Sequence, residues 1–380
     1  MLIFSQCIEY NIKGENNMTQ YAFRSPGRYL QGVGLLNKLG EEASTLGSKA
    51  FILSDDVVWN LLKEQVSDSF EKSDAEYVFE LFEGEASVNE INRLTDVATE
   101  NEADVIVALG GGKAIDTAKA LADNVKKPVI IAPTAVSTDA PSSALSVIYS
   151  DEGAFESYRF YDKNPELVLV DTEIVVNAPL KLFASGIADA MATCVEASAA
   201  HASNSDTMAG GKPTLAALAI AEKCEETLFR DGVAAFEAVK NKAITGAVER
   251  VTEANTLLSG LGFENGGLAA AHAIHNGFTA LEGDIHDLTH GEKVAYGTLV
   301  QIVLENRPFD EIKKYIDFYQ AIEMPTTLEE MKLADRPFED LVKVGSLANQ
   351  DGDTMAGLRA DITAEEIAHA IVAVSAISKA

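Results

Sequence analysis

The period of the apolar residues changes near residue 178, and this limits the fold more than any other feature of the chain. Before that point KAFILSDD, AEYVFELF, ADVIVALGGG, KPVIIAPTAV and ELVLVDTEIV are short, mostly continuous apolar runs. Between them lie the helical patterns DDVVWNLLKEQVSDSF, SVNEINRLTDVATEN and AIDTAKALADNVK. A strand covered by helices on both faces loses the two-residue alternation of a half-exposed one. The βαβα order therefore predicts an open, doubly wound, mostly parallel sheet. SALSVIY-SDEG-AFESYRFYD interrupts it and reads as a hairpin turning at Ser150–Gly153. After Pro179 the strand signal stops, and the chain reads as helix to Ala380, with caps such as Thr363-Ala364-Glu365-Glu366. The expectation is an α/β domain over residues 18–177 and an all-helical domain over 178–380. Residues 1–17, MLIFSQCIEYNIKGENN, read as an extension of no functional weight. Ligands of open α/β sheets bind outside the carboxyl ends of the strands, so a cleft between the two domains is the natural site.

Charge and composition narrow the function. With 59 acidic and 30 basic side chains the net charge is -29, a field that repels nucleic acid and anionic membrane. No apolar run has the length of a membrane span, and the N-terminus lacks the basic start and cleavage site of a signal peptide. Three cysteines without a C-x-x-C pair read as free buried thiols in a reducing compartment, and the chain is expected to be cytoplasmic.

Four of the six histidines, His272, His275, His286 and His290, crowd into GGLAAAHAIHNGFTALEGDIHDLTHGEKVAYG. Ala269 to Gly277 reads as helix, which brings His272 and His275 about one turn apart on roughly one face. Thr289-His290-Gly291-Glu292 fits a capping box, putting His290 in the first turn of the next helix. The positive end of that helix disfavours imidazolium, and a ligand must be neutral. Solvated or hydrogen-bonded histidines are the alternative for any one of them; for the set, metal binding is the better reading. A third ligand is sought in GIADAMATCVEA, where Asp189 stands among small apolar residues, an expensive position for a carboxylate without a cation. A capping or solvent-facing aspartate is the alternative. Asp189, His272 and His290 would leave an open position, as catalytic zinc sites do.

On the other side of the cleft, ADVIVALG runs into Gly110-Gly111-Gly112-Lys113 and then a helix. Strand, glycine turn and helix N-terminus make a geometry for pyrophosphate, although a plain tight turn has the same signature. Lys113 is followed by Ala114, so the P-loop pattern fails. Asp55, after the strand AFILS, could accept hydrogen bonds from ribose hydroxyls and favour NAD over NADP, or simply cap a helix. Thr134, Ser137, Thr138 and Ser143 supply small hydroxyls that suit a phosphate and nicotinamide, or an ordinary loop.

Together GGGKAIDTAKA, APTAVSTDAPSSALSVIY, GIADAMAT, GGLAAAHAIHNG and HGEKVAYG, in this order and spacing, resemble the iron-containing alcohol dehydrogenase family. The resemblance runs from about Tyr21 onward and is weakest toward the C-terminus. It implies a Rossmann-like first domain in a dehydroquinate synthase-like fold, and reversible NAD-dependent oxidation of glycerol to dihydroxyacetone, with small vicinal diols also accepted. It implies zinc on Asp189, His272 and His290, and NAD along Gly111, Gly112, Lys113, Ala114, Ile115, Asp116, Thr134, Ala135, Val136, Ser137, Ser143, Leu145 and Tyr149. Asp55 then matches the adenosine ribose contact, Asp139 the contact to the glycerol hydroxyls, and Phe263 an aromatic wall. His275 falls beside the nicotinamide or substrate. A ring-like homo-octamer is implied as well.

Two departures stand out. Thr193 occupies a position where many iron-dependent relatives carry a histidine, which argues for a three-ligand zinc. Gly186-Ile187-Ala188-Asp189-Ala190 replaces the commoner G-x-G-D-A. The rival readings are a dehydroquinate-synthase-like lyase, disfavoured because the helical half carries few basic residues near its motifs, and a non-catalytic NAD- or metal-binding sensor.

Overall fold

A computed structural model describes residues 19–380; the extension expected at residues 1–17, with Cys7, lies outside the described residues. The first half builds strands β1 Arg28–Gly32, β2 Lys49–Ser54, β3 Glu76–Leu81, β4 Val105–Gly110, β5 Val129–Pro133, β6 Leu145–Tyr149, β7 Phe155–Phe160 and β8 Leu167–Asp171. Helices α1 Leu39–Ser44, α2 Asp56–Glu71, α3 Val88–Glu100, α4 Gly112–Val125 and α5 Thr172–Asn177 connect them. Six strands form one parallel sheet in the order β1-β8-β5-β4-β2-β3, the doubly wound architecture expected.

The continuous apolar runs have the expected cause. Successive residues of a strand point to opposite faces. Ala50, Ile52, Val105, Val107, Ile130 and Leu169 bury one face against Leu39 of α1 and Val66 and Phe70 of α2. Phe51, Leu53, Ile106, Ala108, Ile131 and Val168 bury the other against Leu94 of α3 and Ile115 and Leu121 of α4.

Two strand expectations differ. β1, RYLQG, carries no apolar run to mark it as a strand: it lies at the sheet edge and none of its residues is fully buried. ELVLVDTEIV is strand only as far as Asp171. The Asp171 carboxylate accepts the Glu173 amide (3.0 Å) and starts α5, while also holding the amides of Gly34 and Leu36 (2.9 Å each). The hairpin β6–β7 forms as read, with Gly153 at φ 86° donating its N–H to the Ser150 carbonyl (2.9 Å).

The remaining helices are α6 Leu180–Ala202, α7 Leu215–Lys240, α8 Gly246–Glu253, α9 Ser259–Gly266, α10 Ala270–Gly277, α11 His290–Leu304, α12 Phe309–Ala321, α13 Phe338–Ala348 and α14 Ala364–Ser378. A π-helical turn, Ala254–Leu258, joins α8 to α9. Among the described residues no helix is long and apolar enough to cross a membrane. α6 is the spine of this half, buried almost along its whole length. Its Gly186 meets the loop that follows β5 so closely that a Cβ there would overlap the Val136 carbonyl. The carboxyl ends of β2, β4 and β5 therefore open toward α6 and the helices packed on it.

Candidate metal centre and nucleotide cleft

α6 carries Asp189 into the centre of the helical half with no solvent exposure. The helix forms because its small residues let neighbours pack on nearly every side, and the same packing strips water from the carboxylate. Its Oδ1 lies 3.1 Å from His290 Nε2 and 3.5 Å from His272 Nε2; its Oδ2 accepts the backbone N–H of Asp139 (3.2 Å). One donor atom each from Asp189, His272 and His290 falls within 4.8 Å of the others. Among the described residues no lysine or arginine pairs with Asp189. A buried anion with two imidazole nitrogens converging on it and no permanent cation is what a divalent metal fits. Burial pushes the Asp189 carboxyl up, but the two histidines more than offset this and hold it well below the usual range.

His290 opens α11, whose capping box is present: the Thr289 hydroxyl accepts the Glu292 amide (3.2 Å), and Glu292 accepts the Thr289 amide (2.6 Å). His272 is set by a residue that sequence reasoning missed. Glu196, with no solvent exposure, accepts the amides of Ala269 (2.9 Å) and His272 (3.0 Å) and lies 2.5 Å from His272 Nδ1. A carboxylate there keeps the proton on Nδ1 and leaves the lone pair on Nε2, facing Asp189. The missed signal was an acidic residue seven positions after Asp189 on the same face of a nearly apolar helix.

The other two clustered histidines part ways. His275 lies against His290, ring centres 4.3 Å apart with the planes tilted by 59°. Asn276 donates through Nδ2 to the Asp353 carboxylate (3.2 Å), so its Oδ1 faces His275 Nδ1 at 3.1 Å. That arrangement assigns the Nδ1 proton and leaves Nε2 as an acceptor. Burial, and then the neighbouring His290, hold His275 well below the ordinary imidazole range. His286 stays apart, its Nε2 2.6 Å from the Leu281 carbonyl.

Asp139 follows the loop after β5 and is half-buried. Its Oδ2 accepts the Ser259 hydroxyl (3.2 Å), and burial beside Asp189 raises its carboxyl well above the usual range. Phe263 is buried, packed on Leu145 and Leu268 where the hairpin meets the helical half.

The nucleotide-side residues divide by what their side chains do. Gly111 caps α4 without a side-chain bond, and a Cβ on it would meet nothing within 4 Å. The first-turn amides of α4 thus border open space at the carboxyl end of β4. The glycines serve close approach here; none of Gly110, Gly111 and Gly112 needs a positive φ. Lys113 reaches away to pair with Glu85, and Ala114 and Ile115 enter the core, so only their backbones face the turn. Asp116 is an internal brace, its Oδ2 accepting the Val147 amide (3.1 Å) and its Oδ1 3.0 Å from Lys119 Nζ. Lys119, also missed, is buried and binds the carbonyls of Ala140 (3.0 Å) and Leu145, with the Ser143 hydroxyl at 3.4 Å. Thr134 is buried and its amide bonds the Gly110 carbonyl (3.1 Å). The neighbouring carbonyls of Val136 and Ser137 accept Asn255 Nδ2 and Ser185 Oγ (3.2 Å each). Ala135 and Tyr149 are partly exposed. Asp55 caps α2, its Oδ1 accepting the Val58 amide (2.9 Å), as its alternative reading had it. It also stands at the carboxyl end of β2, beside β4, on the edge where the glycine turn lies.

Residues 26–172 match the family model described as iron-containing alcohol dehydrogenase. The chain is 46% identical over 351 residues to a glycerol dehydrogenase of Escherichia coli O6:H1, covering 92% of this chain and 95% of the relative. It is 43% identical over 350 residues to a glycolaldehyde reductase of Halobacterium salinarum, covering 92% and 96%. The crystal structure of glycerol dehydrogenase from Schizosaccharomyces pombe superposes with a TM-score of 0.92 at 40% identity, covering 95% of this chain and 92% of that one. With relatives of this similarity along nearly its whole length, the chain belongs to the iron-containing alcohol dehydrogenase family.

Proposed function

We propose that the chain catalyses the reversible NAD-dependent oxidation of glycerol to dihydroxyacetone, and of other small vicinal diols, with a zinc ion held by Asp189, His272 and His290. The observation that carries this reading is the buried Asp189 carboxylate with His272 and His290 Nε2 converging on it and, among the described residues, no lysine or arginine to balance it. Relatives named for glycerol oxidation support the substrate, and the glycolaldehyde reductase relative supports a two-carbon hydroxycarbonyl in the reverse direction.

When bound, the metal supplies Lewis-acid polarisation of the reacting hydroxyl and the nicotinamide supplies the hydride acceptor. The protein's residues do the rest. The backbone of Gly111 to Asp116 at the start of α4 would hold the pyrophosphate, with Asp55 on the adenosine ribose. Thr134 to Ser137, Ser143, Leu145 and Tyr149 would line the nicotinamide side. Asp139 would accept a hydrogen bond from a hydroxyl not undergoing oxidation, and Phe263 would close off water. His275, kept neutral, offers Nε2 as an acceptor over the cleft. In this reading residues 18–177 bind NAD and 178–380 bind metal. The free, buried Cys194 and Cys224 support a cytoplasmic setting, and the family resemblance supports a homo-octamer.

The test is the growth of NADH absorbance on mixing protein, NAD and glycerol at alkaline pH, with dihydroxyacetone identified as product. No NADH from glycerol, 1,2-propanediol or 2,3-butanediol, while NAD still binds, overturns it.

A further inference from the structure

Asp139 holds only half of its carboxylate ready for a ligand. Oδ2 accepts the Ser259 hydroxyl at 3.2 Å, whereas Oδ1 has no hydrogen-bond partner among the described residues. Ser259 has no solvent exposure, and its Oγ lies 2.8 Å from Thr193 Oγ1 on α6, which is equally buried. Ser259 Oγ donates its one proton to Asp139 Oδ2, so its oxygen takes the Thr193 O–H. The direction of the pair is thereby fixed. Thr193 cannot turn freely, because its methyl packs against Gly262 where even a Cβ would overlap it.

The backbone holds this pair in place. Ser259 directly follows the π-helical turn Ala254–Leu258, which bonds the same loop twice more: Asn255 Nδ2 donates to the Val136 carbonyl (3.2 Å) and the Thr256 carbonyl accepts Ser142 Oγ (2.6 Å). An inserted residue in a helix interrupts its regular hydrogen bonding and is frequent at functional sites. Here the turn and the residue after it make three contacts, from Asn255, Thr256 and Ser259, to the segment that carries Asp139.

We propose that Thr193 and Ser259 are specificity-determining positioning residues, which commit Asp139 Oδ2 so that Oδ1 receives the hydroxyl of a polyol beyond the two adjacent to the metal. The inference rests on the proposed reaction, and on Asp139 as the contact to the free hydroxyl. It predicts discrimination between glycerol and 1,2-propanediol, which lacks one hydroxyl.

The experiment compares kcat and KM for these two substrates in the wild type, Ser259→Ala, Thr193→Val, Thr193→Ser and Asp139→Ala. Removing one hydrogen bond from the relay should lower the glycerol-to-propanediol ratio of kcat/KM about three- to tenfold in Ser259→Ala, mainly through the glycerol KM. Thr193→Val, which keeps the volume but not the hydroxyl, should follow in the same direction, and Thr193→Ser should restore the wild-type ratio. Equal losses on both substrates, or identical behaviour of the valine and serine variants, overturn the proposal while leaving the reaction standing. An unchanged ratio in Asp139→Ala overturns it through its premise. A wild type that oxidises neither substrate overturns the reaction itself.

Discussion

At the scale of single residues, the metal site depends on groups that do not touch the metal. Glu196 fixes which nitrogen of His272 carries its proton, and removing its charge frees that choice. Glu196→Gln keeps the shape and the amide contacts in part, and should weaken zinc binding about 10- to 100-fold, read by competition with a chromophoric chelator. Unchanged zinc affinity would remove Glu196 from the site. The sequence made Asp189, His272, His275 and His290 legible because scarce residues clustered on helices whose starts could be read, as with the capping box at Thr289. It left Glu196, Ser259 and Lys119 unread, because each matters through a partner remote in sequence: Ser259 through Asp139, Lys119 through the carbonyls of Ala140 and Leu145, Glu196 through the turn before α10. Periodicity describes one element at a time, and such partners appear only once elements are packed.

At the scale of elements, the cleft is set by how α6 meets the loop after β5. Gly186 is the closest approach, since a Cβ there would overlap the Val136 carbonyl and also crowd Asn255 Nδ2 (2.7 Å). Gly186→Ala should therefore push the loop off α6, lowering stability by about 1–3 kcal/mol and weakening NADH binding, measured by thermal unfolding and by NADH fluorescence titration. A variant as stable as the wild type with full NADH affinity would mean that the loop moves freely over α6. The alternation of β2 to β5 with helices was legible since both sheet faces are covered. β1 was not, because an edge strand with a polar sequence carries no such period. The π turn before Ser259 was invisible for a further reason: it adds one residue to a helix without altering which residues are apolar. The helical start after Asp171 was hidden by a run of β-branched residues that a capping carboxylate turned into α5.

At the scale of the whole molecule, the helical half carries its own acid-sensitive tie. Asp231 on α7 is gripped by Arg250 of α8 (2.7 and 2.9 Å), and then by Arg230, and its carboxyl is held well below the usual range. A depressed pKa contributes stability at pH values above the unfolded-state pKa, about 3.9, and that contribution is lost as pH falls through the lower native value. The melting temperature of the wild type should exceed that of Asp231→Asn at neutral pH, and the gap should close in acid; a gap independent of pH would remove the ion pair as its cause. The net charge of -29 says nothing of this tie, nor of the site; it sets only a field that repels nucleic acid. The two halves act as one molecule only if the buried centre on α6, α10 and α11 serves chemistry on a nucleotide bound across the cleft. The most direct measurement is glycerol-dependent NADH formation by protein stripped with a chelator and then titrated with zinc, run beside Asp189→Asn. Activity should vanish on stripping and return in proportion to bound zinc, up to one ion per chain, with Asp189→Asn binding none and staying inactive. Full glycerol oxidation by the stripped protein, or by Asp189→Asn, would contradict the metal centre as the seat of the reaction.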